Sequence, residues 1–107
     1  MIRLQWSVTQ QEGLRVEMRS HAGAARNPEG HDLVCAAASM LCITLAQALT
    51  ALCDAPRIGA DSGWAELYGV PRPGEGERLR TAWQTVLGGF EWLQRQYPRC
   101  LEVRPWM

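Results

Sequence analysis

Apolar and polar residues alternate at the start of the chain: Ile2, Leu4, Trp6 and Val8 interleave with Arg3, Gln5 and Ser7. A period of two belongs to a strand with one buried face. Leu14, Val16 and Met18 alternate with Arg15, Glu17 and Arg19 in the same way. The link between the two runs, "TQQEG", is short, polar and closed by glycine, so they predict an antiparallel hairpin covered on one side. Residues 22–31 contain Gly23, Pro28 and Gly30 and predict an irregular loop. Asp32 then predicts an N-cap, followed by an Ala- and Leu-rich helix to about Cys53. Its many alanines predict close approach to a sheet. "DAPRIGADSG" ends that helix, "WAELYGV" predicts a short third strand and "PRPGEGE" a loop. Leu79, Ala82, Trp83, Val86, Leu87, Phe90, Leu93 and Tyr97 recur at three- and four-residue steps, which predicts a second helix over 75–97, stopped by Pro98. "CLEV" predicts a last strand closed by Pro105. The order β-β-α-β-α-β predicts an α+β fold, a small, mostly antiparallel sheet with two long helices packed on one face.

The 107 residues suit one domain with a real core. Formal charge is zero, so no basic field recruits nucleic acid or an anionic membrane, and neither is expected as a direct partner. All eleven basic residues are arginine, and their scatter predicts a solvated surface. "MIRLQWSV" lacks the apolar run of a signal peptide. The longest apolar-rich run, 33–53, is interrupted by Ser39, Thr44, Gln47 and Thr50, and so falls short of the ~20 apolar residues of a membrane span. The expected location is the cytoplasm. There, Cys35, Cys42, Cys53 and Cys100 are expected as free thiols. They form no C-x-x-C pair and have no histidine at ligand spacing, so neither a metal nor another cofactor is expected.

The candidate chemistry lies at the start of the first helix. With Asp32 as cap, Cys35 is the third helical residue, where unpaired N–H groups and the positive dipole end favour a thiolate. A free thiol of pKa about 8.5 is only about 3% ionised at neutral pH. A helix end supplies about 0.3–1 kcal/mol, so a cationic neighbour is also needed. His21, at the other end of the loop, is the nearest candidate, and His31 competes with it. Asp32 would raise a nearby thiol's pKa, and its better chemical role is to orient an imidazole. Ser39 sits one turn beyond Cys35. On spacing alone the commoner reading is structural: Cys35 as a small apolar filler, His21 as a surface residue at a strand end. Cys42, Cys53, Cys100, Met18 and Met40 read as packing residues. Trp64 and Tyr68 share a strand face and suit either aromatic recognition or packing.

"HAGAA" followed by "GHDLVCAAAS" resembles the signature of the bacterial ribosomal-processing cysteine proteases (Prp). That family shows a Gly-His-Ala turn, a Gly-rich loop, then Asp-hydrophobic-Val-Cys-Ala opening a long helix. The "SGWAELYGVP" segment and the "YP" near the end of the second helix fit the same order of elements. The resemblance implies Cys35 as nucleophile and His21 as general base, with Asp32 and Ser39 at the accompanying polar positions. It also implies that the loop, with Gly23 and Gly30, closes over an apolar substrate segment. Family members are cytoplasmic homodimers that need no metal. They remove a short N-terminal extension from large-subunit ribosomal protein twenty-seven, just after a stretch that contains paired phenylalanines. Ser20 stands where the family has glycine. The alternative from another class is a ribosome-associated or phage-encoded module on the same fold that holds a peptide without cutting it. A redox role pairing Cys35 with Cys42 is disfavoured by the ~10.5 Å rise between them.

Overall fold

The computed structural model describes residues 1–20, 29–61 and 63–106. Seven elements follow in order: β1 (Ile2–Val8), β2 (Leu14–Ser20), α1 (His31–Leu52), β3 (Arg57–Asp61), β4 (Trp64–Gly69), α2 (Gly76–Gln96) and β5 (Leu101–Pro105). The strands form one sheet in the order β3-β4-β2-β1-β5. Three neighbouring pairs are antiparallel, and only β1 and β5 run parallel. The α+β architecture is therefore the one the hydrophobic pattern predicts, enlarged by one strand. The addition is β3, inside the segment read as a helix terminator.

The hairpin has the expected register, Ile2 opposite Ser20 and Val8 opposite Leu14. Ile2, Leu4, Leu14, Val16, Ala65, Leu67 and Leu101 point to one side and are buried there. Both helices cover that side. α2 buries Leu79, Trp83, Val86, Phe90 and Leu93, the stripe its three- and four-residue steps define. Trp83 meets Trp6 of β1 with ring centroids 5.5 Å apart and planes tilted by 59°, a contact worth about 0.5–1.5 kcal/mol beyond area burial. The two helices touch closely because Gly89 has no side chain; a Cβ there would lie 3.0 Å from Leu41 Cδ2.

α1 buries Val34, Ala38, Cys42, Leu45 and Leu49 but leaves apolar residues outside as well. Met40, expected to pack, is 60% exposed, and Ile43 is 53% exposed. By length and composition alone α1 is apolar enough to cross a membrane, which corrects the expectation that no segment is; here one of its stripes lies in the core. Its start also differs from expectation. Gly30, not Asp32, is the N-cap, with φ 87° and no side-chain cap bond, and the helix begins at His31. Tyr97 explains the choice, because its ring packs so closely that a Cβ on Gly30 would lie 2.8 Å from two ring carbons.

The other face of the sheet is charged. Arg3 pairs with Glu102 at 4.0 Å and Arg15 with Glu66 at 3.6 Å, while Arg19 pairs with Glu17 and Arg104 with Glu102. Such exposed pairs contribute at most about 1 kcal/mol each, in keeping with a solvated arginine surface.

Candidate active site

Starting α1 at His31 makes Cys35 its fifth residue. Val34 already donates its N–H to the Gly30 carbonyl at 2.9 Å, so the amide of Cys35 belongs to the helix ladder, not to the unpaired first turn. The expectation of a first-turn cysteine is corrected accordingly. Side chains on a helix lean towards its N-terminus, which brings Cys35 over His31. Its Sγ lies 3.4 Å from His31 Nδ1 and 3.7 Å from Nε2. Near-equal distances to both nitrogens place the sulfur against the ring between them, not along either lone pair. His31 is 7% exposed and Cys35 half-buried.

The surroundings hold the Cys35 thiol above its ordinary pKa. Desolvation is the first cause, the Asp32 carboxylate the second and Cys100 the third, with the amino terminus acting in the opposite sense. Burial and the nearby carboxylate thus disfavour the thiolate, which a base beside the sulfur would offset. Asp32 is exposed and makes no capping bond; its carboxylate sits in the first turn, where the helix dipole favours it. Cys100 is buried and donates to the Glu29 carbonyl at 3.6 Å, which ties β5 to the turn before α1.

Cys35 opens into a cleft of about 450 Å³ between α1 and the β3–β4 end of the sheet. Ser39 lines it one turn further along α1, Met18 and Ser20 line it from β2, and Trp64 from β4. Of the residues singled out by sequence, Cys35 and Ser39 share the cleft wall, and Trp64 lines its rim from the strand while its indole turns onto Gly59. Trp64 folds over β3, so that a Cβ on Gly59 would lie 3.1 Å from its Cη2. Tyr68 lies on the same strand face, opposite Arg57 and Arg15, away from the cleft. Gly30 caps the helix against Tyr97 and is not among the residues lining the cleft. His21 and Gly23 lie outside the described residues. His31, ranked below His21 by sequence, is the imidazole found on the sulfur among the described residues. The signal for it was its four-residue spacing from Cys35. Cys42, Cys53 and Cys100 are buried, as packing predicts. Among the described residues, no three His, Cys, Asp or Glu side chains gather as metal ligands.

A half-buried thiol on an apolar cleft, with an imidazole against it, is an arrangement suited to thiol chemistry. The chain belongs to the cysteine protease Prp family, whose sequence model matches residues 1–102. It is similar to the essential ribosomal processing protease Prp of S. aureus solved with a substrate peptide (21% identity, TM-score 0.75, 99% of this chain and 100% of that one). It is similar also to the same S. aureus protease with a covalently linked product peptide (24% identity, TM-score 0.74, 99% and 100% covered). A Streptococcus mutans protein shares the fold at 24% identity and a TM-score of 0.72, with 98% and 93% covered. No curated protein matches the chain.

Proposed function

We propose that this protein is a cysteine endopeptidase that removes a short N-terminal extension from large-subunit ribosomal protein twenty-seven, with Cys35 as nucleophile and His21 as general base. The observation that carries the reading is the position of Cys35, the half-buried thiol of the family motif, in the wall of a cleft large enough for peptide side chains. Ser20 lines the same cleft, and His21 follows it directly in the chain. His31 is the weaker base. A proton taken from the sulfur must later reach the leaving amine inside the cleft, and His31 is buried and not among the lining residues. Its role is to pack against the sulfur and hold its rotamer.

In this mechanism His21 takes the thiol proton as Sγ attacks the scissile carbonyl carbon. The tetrahedral intermediate collapses to a thioester, and the new amine leaves with that proton. Water, deprotonated by the same imidazole, then hydrolyses the thioester and restores the thiol. Ser39 supports the site from one turn deeper. Asp32, which opposes ionisation of Cys35, supports the imidazole instead. A homodimer in the cytoplasm belongs to the same reading, as the family resemblance implies.

Incubation with a peptide spanning the extension and the mature N-terminus of the ribosomal protein tests the reading. Cleavage by the wild type and none by Cys35→Ala is the expected result. Equal inertness of both proteins would favour the binding module on this fold.

A further inference from the structure

We propose that the helix-free face of the sheet binds single-stranded RNA, along a row of alternating guanidinium groups and aromatic rings that crosses the strands. This face is opposite the one that carries the Cys35 cleft, so the proposal stands apart from the peptidase reading. Strand register defines the row. Arg57 of β3 pairs with Tyr68 of β4, Tyr68 with Arg15 of β2, and Arg15 with Ser7 of β1. Leu14, Val16 and Leu67, their neighbours along the strands, are buried against the helices, so alternation turns the row to the other side. After β5, Trp106 donates its N–H to the Trp6 carbonyl. Its indole reaches across β1 to Arg15, whose Cζ lies 5.1 Å from the ring centroid. The order across the sheet is therefore Arg57, Tyr68, Arg15, Trp106.

That order matches the chemistry of an unpaired nucleic acid strand. An unpaired base has a free π face and stacks on aromatic rings or guanidinium planes, while the phosphates on either side seek cations. Strands lie about 4.8 Å apart, which puts the backbones of Arg57 and Arg15 roughly 10 Å apart with Tyr68 between them. A base on Tyr68 thus has a guanidinium on each side for its phosphates. The next base stacks on the Arg15–Trp106 pair. Ser7, beside Arg15, offers a hydroxyl to the ribose 2′-OH, the group that separates RNA from DNA.

The formal charge of zero describes the whole molecule and not this row. Salt screens exposed charges beyond about 8 Å, so close neighbours decide. Arg57 makes no ion pair among the described residues. Asp61 stands at the other end of β3, opposite Trp64 and about 13 Å along the strand from Arg57. Arg15 meets Glu66 at 3.6 Å, with side chains 49% and 37% exposed. A pair so open to water holds its guanidinium weakly, and a phosphate can compete for it. Two guanidiniums thus face one carboxylate, and the surplus is positive.

The test titrates the full chain into fluorescently labelled single-stranded RNA of mixed sequence and reads anisotropy. DNA of the same sequence, an RNA duplex and polyglutamate serve as comparison probes. Saturable binding to the single-stranded RNA is expected at about 50 mM salt, at least tenfold tighter than to the other three. Tyr68→Ala and Trp106→Ala should each weaken it about tenfold. Arg57→Gln, at an exposed position without an ion pair, should make the slope of log K against log salt shallower by about 0.7, the share of one phosphate contact on a single strand. Arg78→Gln, exposed on α2, should change neither affinity nor slope. Absence of saturable RNA binding overturns the proposal. Equal effects of Arg57→Gln and Arg78→Gln would show attraction by overall charge and overturn the row. DNA or duplex bound as tightly would overturn recognition of single-stranded RNA, and polyglutamate bound as tightly would make the face a site for acidic peptides.

Discussion

Cys35 Sγ rests 3.4 Å from His31 Nδ1, one helical turn away on the same face of α1. The contact packs a nucleophilic atom without pointing a lone pair at it. The two histidines of the chain should therefore behave differently when removed. His21→Ala should lower kcat by about 10²–10⁴, the usual contribution of a general base, and abolish the acidic limb of its pH profile. His31→Ala should lower kcat less and keep the limb. Profiles of kcat/KM for both variants decide the assignment.

Asp32 bears on the same sulfur. Its negative charge disfavours the thiolate, so Asp32→Asn should move Cys35 ionisation to lower pH. Alkylation by iodoacetamide at neutral pH should then be faster than in the wild type. In both proteins Cys35 should react well before Cys42, Cys53 and Cys100, which are buried. Peptide mapping after short exposure gives the order.

Gly30 is held at φ 87° against Tyr97. Gly30→Ala places a Cβ in the left-handed region and inside the ring's contact distance. A loss of about 1–3 kcal/mol is expected, read as a lower urea midpoint, together with lower activity because the start of α1 carries Cys35.

Cys42 links stability to pH. Burial raises its thiol to about 11, against 9.0 for the free group. The folded state holds the proton more tightly than the unfolded chain, so this contribution is complete below pH 9 and disappears as pH rises to 11. Up to about 2–3 kcal/mol is at stake. Urea melts at pH 8 and 10.5 should show the loss, and Cys42→Ala should flatten it.

The parts of this fold that bury one regular face were legible in the sequence. β1, β2 and α2 expose one side and cover the other, so period and burial coincide. β3 was not legible, because Arg57, Ile58, Ala60 and Asp61 are exposed and only Gly59 is partly covered. An edge strand beyond the reach of the helices has no buried parity to print on its residues. The start of α1 was misplaced for another reason. Asp32 is the better cap by composition, but contact with Tyr97 selects Gly30, and Tyr97 lies 67 positions on. A helix beginning at Asp32 leaves His31 outside it and hides the His31–Cys35 pair. The motif singles out Cys35 as the candidate nucleophile, whereas the pressure on its ionisation depends on burial and on Cys100, which only the tertiary structure brings near.

The proposed mechanism requires a covalent bond between Cys35 and the peptide it cuts. Rapid acid quenching of wild-type protein with the extended ribosomal peptide, followed by intact mass and peptide mapping, tests it directly. A species heavier by the N-terminal fragment less one water is expected, with the adduct on Cys35. Continued cleavage by Cys35→Ala, or an adduct on another residue, would contradict it.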